Sequence, residues 1–260
     1  MKNPYNSGQL RKVSLLPPSS EDGAELFAFW TRDPSSILEY AGTLGERGYG
    51  FYVMTTVTGY PQVLEPNVPP ADGVIETMSL LAQKISAERV IWRYDPVFLS
   101  DITDFGFHRR NFADLAGRLK GVVRKVIVSV YDEYPAAEKR LAALEQRGVL
   151  ARIAHYEQAR PGPFGGRALA PSVRELLAEL ACIARREGME IQSCAEDIAG
   201  CSGIRAGACI DGEYISKTFG LNVPGKDRGQ RRPFCLCSRS VDIGAYGACP
   251  AGCVYCFAVH

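Results

Sequence analysis

The chain ends with three cysteines in the spacing C-x3-C-x2-C, namely Cys249, Cys253 and Cys256. Thiolates this close together can hold three irons of a [4Fe-4S] cluster from one short loop, and the loop supplies no fourth ligand. One iron then stays open to an exchangeable group. Gly252 lets the backbone approach the cluster. Tyr255 precedes the last thiol and either lines a cofactor at the open iron or simply packs the terminal loop.

Four further cysteines predict a second metal centre, either another cluster or tetrahedral zinc. They are Cys194, Cys209, Cys235 and Cys237. Cys201 is left over as a substitute ligand or a free thiol, and Cys182 is expected to be a solvent-facing thiol without a role.

A competing interpretation needs only one metal. Cys235 and Cys237 would join two members of the terminal triplet in a structural zinc knot, because zinc favours pairs spaced like Cys253 and Cys256. Three thiols within eight residues fit a cluster better than tetrahedral zinc.

The composition is that of an ordinary globular chain of 260 residues, with 46% hydrophobic residues and a formal charge of +1. No apolar run is long enough for a signal peptide or a membrane span, which predicts a cytoplasmic protein with reduced thiols. Only three histidines are present, so a metal site would be mainly sulfur-ligated. The charge argues weakly against nucleic-acid binding, for which only the basic stretch Lys226–Arg232 is suited. That stretch could equally support a cluster or stay solvated.

Short apolar runs alternate with amphipathic stretches, which predicts an α/β fold with a parallel sheet. The predicted strands are Leu26–Thr31, Phe51–Val57, Val90–Tyr94, Lys125–Tyr131 and Glu190–Cys194. The predicted helices are Ser35–Arg47, Asp72–Ser86, Phe105–Leu119, Ala136–Arg147 and Pro171–Arg186. This repeat is typical of a partial TIM-like (β/α) barrel, although an open doubly wound sheet has the same linear pattern.

The pattern also predicts two domains. Residues 1–197 would form the βα-repeat barrel, interrupted by an exposed insertion at Gln158–Pro171. From about Ile198 the βα pattern is expected to stop, and residues 198–260 would form a cysteine-rich cap that carries the cluster loop.

Polar residues follow each predicted strand, at the edge where parallel βα folds bind ligands. Arg93, Asp95 and Glu196 are the candidate catalytic residues, because charged groups placed there need a partner. Thr31 and Thr56 are candidate cofactor-binding residues. Each of these side chains could instead cap a helix or mark a loop.

Several of these segments together resemble the bacterial and archaeal domain-of-unknown-function family numbered 1848. The segments are Phe29-Trp-Thr-Arg-Asp-Pro34, Thr56-Val-Thr-Gly-Tyr60, Glu65-Pro-Asn-Val-Pro-Pro70, Glu88–Pro96, Cys194-Ala-Glu196, Cys209-Ile-Asp211, Gln230-Arg231, Cys235-x-Cys237 and Ser240–Tyr246. This family is similar to a circularly permuted radical S-adenosylmethionine protein related to spore photoproduct lyase. The resemblance implies S-adenosylmethionine at the open iron.

The permutation implies that Val241–Tyr246 is the closing strand that feeds the cluster loop. It also implies a first strand with a Ser-Arg-Arg-Thr-Asp-like segment, which this chain is expected to lack. Two functions follow. One is a radical enzyme with an unknown small-molecule or nucleotide substrate and an electron donor such as a ferredoxin or flavodoxin. The other is a non-catalytic module that binds zinc or a cluster.

Overall fold

Six parallel strands form one sheet in this computed structural model, which describes residues 24–157, 168–223, 234–244, 247 and 249–259. Neighbouring strands pair in chain order from β1 to β6, without the reversal of order found in doubly wound sheets. The strands are β1 (Leu26–Thr31), β2 (Gly50–Thr56), β3 (Val90–Val97), β4 (Lys125–Val130), β5 (Glu190–Cys194) and β6 (Arg205–Gly207). The predicted α/β class and parallel sheet are therefore confirmed.

Helices connect the strands and pack on the sheet. They are α1 (Ser35–Glu46), α2 (Ala71–Ile85), α3 (Phe105–Leu119), α4 (Pro135–Gln146), α5 (Pro171–Arg186) and α6 (Gly212–Phe219), with a 3-10 turn at Ala87–Arg89. Helix α5 matches the prediction at both ends, because Pro171 suits its first turn and Gly188, with φ of 78°, follows its end. None of the described helices is long and apolar enough to cross a membrane.

The two faces of the sheet are covered differently, because successive side chains of a strand point to opposite faces. Val53, Trp92 and Val126 belong to the large core that includes residues of helices α2, α3 and α5. Their neighbours Tyr52 and Ile91 belong to a second core, which residues from Ala208 onward complete. The late part of the chain therefore covers one face of the sheet.

The prediction that the βα pattern stops near Ile198 is wrong. Strand β6 pairs in parallel with β5, and helix α6 follows it, so the sheet continues across the predicted boundary between residues 197 and 198. The sequence pattern does not predict strand β6, because Arg-Ala-Gly has no β-branched or aromatic residue and only Gly207 of the three is buried.

The predicted closing strand is also wrong over its described part. Val241–Gly244 form no strand, and the side chains of Val241 and Ile243 are exposed, so they lack the partner that would bury them. The rest of that segment, residues 245–246, lies outside the described residues. So do residues 158–167 of the predicted insertion and the whole of Lys226–Arg232.

Candidate metal centre

Four cysteine thiols from separate parts of the chain meet beside the end of β5. The Sγ atoms of Cys194 and Cys209 lie 3.0 Å apart, which is longer than a disulfide bond of about 2.05 Å. Cys237 interacts with Cys209 and with Cys235. All four are buried. The structure thus brings together the four residues predicted for the second centre, which we call the thiol quartet.

Two thiols of the quartet have pKa values shifted in opposite directions. Hydrogen bonds with Cys194 and Cys237 lower the pKa of the Cys209 thiol well below its usual value, against the effect of burial, and the charge of Arg93 lowers it further. The hydrogen bond with Cys209 and burial raise the pKa of Cys194. This arrangement favours Cys209 as the deprotonated thiol of the quartet.

The donor set of the quartet fits a thiophilic metal. Tetrahedral zinc with zinc–sulfur bonds of about 2.3 Å has sulfur–sulfur edges of about 3.8 Å. The 3.0 Å pair is closer than that, and no group of three or more His, Cys, Asp or Glu side chains in the described ranges is placed so that it could hold a metal ion. The quartet therefore offers sulfur donors of the right kind, but its thiols would have to move apart before they could hold a metal ion.

Arg93 and Asp95 connect the quartet to the carboxyl ends of the strands. The charge of Arg93 acts on Cys209, Arg93 forms an ion pair with Asp95, and the hydroxyl of Ser129 on β4 donates to the same carboxylate. Both charged side chains are largely buried, at 16% and 17% exposure. Arg93 therefore links the electrostatics of the quartet to the polar groups at this edge of the sheet.

The terminal triplet lies in a loop that two other segments hold in place. Val254 N donates to Leu64 O at 2.9 Å. Arg140 of helix α4 donates to three carbonyl oxygens, those of Val254 and Val259 at 3.0 Å and that of Cys256. The loop is therefore docked between the β2–α2 connection and α4.

The three thiols of this loop differ in exposure. Cys253 is buried, Cys256 is half-buried and Cys249 is exposed. Burial raises the pKa of Cys253 to about 11, and the nearby charge of Arg32 opposes that shift. Cys249 and Cys256 act electrostatically on Cys253, so the triplet shares one neighbourhood.

A buried ion pair links the triplet loop to the ends of β1 and β2. Arg32 Nη1 lies 2.9 Å from Glu65 Oε1 and 2.8 Å from the hydroxyl of Thr58. The Tyr255 hydroxyl accepts from Arg32 and donates to Glu65. Burial lowers the pKa of Arg32, but Tyr255 and Glu65 outweigh it and keep that pKa above its usual value. The ring of Tyr255 packs against Tyr60.

A cavity of about 500 Å³ opens beside this ion pair. Its lining includes Thr56, Thr58 and Glu65, and the start of helix α2 forms another wall. Gly59, also in the lining, has φ of 62°, and a Cβ added there would lie 2.6 Å from Asn111 Oδ1. The tight turn after β2 that borders the cavity therefore requires glycine.

Glu196 lies just past β5 on the same edge. Its carboxylate accepts from Val130 N at 2.9 Å and from the Tyr156 hydroxyl at 3.4 Å. Burial raises the pKa of Glu196 to about 8, and these two hydrogen bonds oppose the shift. A protonated carboxyl near neutral pH is the consequence.

The other predicted residues divide by position. Thr56 lines the cavity, whereas the Thr31 hydroxyl forms hydrogen bonds with the main chain of Asp33. Cys182 is exposed, as predicted, and Cys201 is half-buried.

Three residues of the site were missed at the level of sequence: Arg32, Glu65 and Arg140. Arg32 directly follows a strand, which is the pattern that singled out Arg93 and could have found it. Nothing in the sequence distinguishes Arg140 from other charged residues on a helix.

These features describe an α/β protein with two groups of cysteines near the carboxyl ends of a parallel sheet. Residues 1–258 match the family described as "Domain of unknown function (DUF1848)", and the chain belongs to that family. A comparison with curated proteins found no match.

Solved structures that match include two of pneumococcal StrH, described as "molecular insights into N-glycan recognition and hydrolysis" and "Differential inhibition of the tandem GH20 catalytic modules". They share 11% and 12% identity with this chain, each with a TM-score of 0.24. The matches cover 62% of this chain but only 33% and 32% of theirs, so this chain spans about a third of their length. A TM-score this low indicates neither a shared fold nor a shared activity.

Proposed function

We propose that this protein is an iron–sulfur enzyme of the radical S-adenosylmethionine type. Cys249, Cys253 and Cys256 would hold a [4Fe-4S] cluster whose open iron takes S-adenosylmethionine, and the thiol quartet would hold a second cluster or zinc. The observation that carries the proposal is the docking of the triplet loop beside Arg32 and Glu65, which follow the ends of β1 and β2. That edge is where parallel βα proteins bind their ligands.

The bound cluster would supply one electron to S-adenosylmethionine, with a ferredoxin or flavodoxin as the donor. The chain itself would provide position and shielding. Arg140 fixes the loop through its carbonyl groups. The Arg32–Glu65 pair keeps the region beside Cys253 close to neutral.

Substrate and cofactor would then meet at the edge of the sheet. The cavity near Thr56 and Glu65 has room for part of a small molecule or nucleotide. Arg93, Asp95 and Glu196 would orient the substrate from the neighbouring strands.

The strand order supports the finer description of the fold. Sheets of barrels are wound in chain order, as β1 to β6 are here, so we propose a partial (β/α) barrel. The cysteine-rich residues after β6 would act as a cap over its inner face. Free thiols, including exposed Cys182, fit a reducing compartment such as the cytoplasm.

A second candidate function is a non-catalytic metal module in which zinc at the quartet fastens the late part of the chain to the sheet. The gathering of four buried thiols favours it, because four cysteine sulfurs are a common ligand set of structural zinc. In that case the triplet would carry no cluster.

Anaerobic reconstitution with iron and sulfide distinguishes the two. We expect brown protein that forms 5′-deoxyadenosine when S-adenosylmethionine and a reductant are added. Cys253→Ala should abolish that product, and Cys182→Ala, at an exposed thiol, should leave it unchanged. Colourless protein with one zinc per chain would favour the module instead.

A further inference from the structure

Two cysteines of the quartet lie close enough for a covalent bond to join them. The Sγ atoms of Cys194 and Cys209 are 3.0 Å apart, and a disulfide bond is about 2.05 Å long. An approach of about 1 Å would therefore bring the two sulfurs to bonding distance. Both residues are 9% exposed and share one core, so a reagent that reaches them has to be small.

The pairing of β5 with β6 places the two cysteines side by side. Cys194 is the last residue of β5, and it lies opposite Gly207 in the parallel register. A Cβ added at Gly207 would lie 2.4 Å from the side chain of Gln192, so only glycine leaves room for that amide. The amide then donates from Nε2 to Ala208 O at 2.9 Å, which fixes the chain directly before Cys209.

Hydrogen bonds also fix the main chain at Cys209 and beyond it. The Tyr52 hydroxyl on β2 donates to Cys209 O at 2.8 Å. Ser238 N donates to Ile210 O at 2.9 Å, so the next residue is held as well. With the main chain fixed at both cysteines, the remaining step toward a bond is a small rotation of the side chains.

The distance between these sulfurs suits a disulfide better than shared ligation. Tetrahedral zinc would require them to separate to about 3.8 Å, whereas a disulfide requires them to approach. The two states exclude each other, because they use the same two sulfurs. Oxidation of this pair would therefore remove two of the four thiols from the quartet.

We propose that Cys194 and Cys209 form a modification site at which hydrogen peroxide produces a reversible disulfide bond. One sulfur attacks the O–O bond of peroxide, which gives a sulfenic acid and one water. The other sulfur displaces the sulfenic oxygen as a second water, and the S–S bond forms. The two sulfurs lose two electrons in total, and their two protons leave in the two waters.

The bond is reversible, because a thiol reductant returns the two electrons by thiol–disulfide exchange. Peroxide is small enough for thiols with little exposure. The proposal goes beyond the proposed function and does not require that the quartet binds a metal ion.

The test uses the metal-free full chain, prepared with a chelator and a reductant that is then removed. After peroxide treatment, the remaining thiols are alkylated in denaturant, and the chain is digested with trypsin without reductant. Cleavage after Arg205 places Cys194 and Cys209 on neighbouring peptides, which mass spectrometry identifies. The first peptide also carries Cys201, so Cys201→Ser is treated in parallel with the wild type.

We expect the two peptides to be joined with the loss of two hydrogens and to separate after reduction. Cys201→Ser should keep the link, as should Cys182→Ser at an exposed thiol, whereas Cys194→Ser and Cys209→Ser should each lose it entirely. Fragmentation of the linked wild-type peptides assigns the bonded sulfurs without relying on the folding of a variant.

Unlinked peptides, whether alkylated or oxidised further, would overturn the proposal, and so would a link that requires Cys201. The measurement is made without iron or zinc. Its failure is therefore distinguishable from a failure of the proposed function, which reconstitution with iron and sulfide tests.

Discussion

Replacing Arg140 with alanine should loosen the terminal cysteine loop from helix α4. This side chain donates to the carbonyl oxygens of Val254, Cys256 and Val259, so a single substitution removes three hydrogen bonds to the loop. The contact between Val254 N and Leu64 O at 2.9 Å remains, and the loop should open more often without being lost.

The size of the effect follows from the charge of the donor. A hydrogen bond to a charged group contributes about 1.5–3 kcal/mol, but the three share one partly exposed side chain and water replaces part of each. A combined loss of about 2–3 kcal/mol is therefore expected. Since about 1.4 kcal/mol corresponds to a tenfold change in an equilibrium, the open state should become roughly 30- to 140-fold more populated.

Alkylation of Cys253 measures that opening in metal-free protein, because this thiol is 5% exposed and reacts only when the loop opens. The labelling rate in Arg140→Ala should rise by the same factor. Lys139→Ala is the matched control, since Lys139 is the exposed neighbour of Arg140 on α4. Equal labelling of Cys253 in Arg140→Ala and Lys139→Ala would refute the role assigned to Arg140.

Three further outcomes concern the scaffold. Burial lowers the pKa of His108 to about 4, whereas the ordinary histidine pKa is near 6.5, so between these values only the unfolded chain takes up the proton. Between pH 7 and 5 the free energy of unfolding of the wild type should therefore fall by about 2 kcal/mol more than that of His108→Gln in urea titrations. Parallel pH profiles of the two proteins would contradict this. In thermal unfolding, Leu180→Ala, in the fully buried stripe of α5, should lower the free energy of unfolding by about 2–5 kcal/mol. Leu80→Ala, at a 46% exposed position, should lower it by under about 1 kcal/mol. Gly59→Ala should lower the free energy of unfolding by about 1–2 kcal/mol because residue 59 has φ of 62°, and by more because the new Cβ would contact Asn111. An unchanged melting temperature would argue against that turn.

Periodicity predicted most of the fold because the buried elements are strongly patterned. Helices α3 and α5 and strands β1 and β5 begin and end where the sequence places them. Strand β3 runs on to Val97, past the predicted end at Tyr94, because a register shift between these residues accommodates Pro96. Proline inside a run ordinarily argues against a central strand.

The short and exposed elements could not be predicted in this way. Strand β6 has one buried residue, so its pairing with β5 stabilises it in the sheet more than the burial of its own side chains does. Val241 and Ile243 alternate like a strand, yet both remain exposed. Alternation predicts a strand only where a sheet edge is available to pair with it.

The candidate site was predictable where residue type alone limits the chemistry. The quartet could be grouped from sequence because few other thiols are available, and its members do meet. The partners of the cysteines could not be found, since Arg32 and Glu65 meet Tyr255 across separations of 223 and 190 residues. Contacts of that range depend on how the loops pack.

The iron content of anaerobically reconstituted protein tests the central claim most directly. We compare the wild type with a variant in which Cys249, Cys253 and Cys256 are all serine, and measure iron and acid-labile sulfide per chain. We expect the variant to lose about four irons and four sulfides per chain. Metal bound at the quartet should be unchanged. Equal iron and sulfide in the two proteins would contradict a cluster on the terminal triplet.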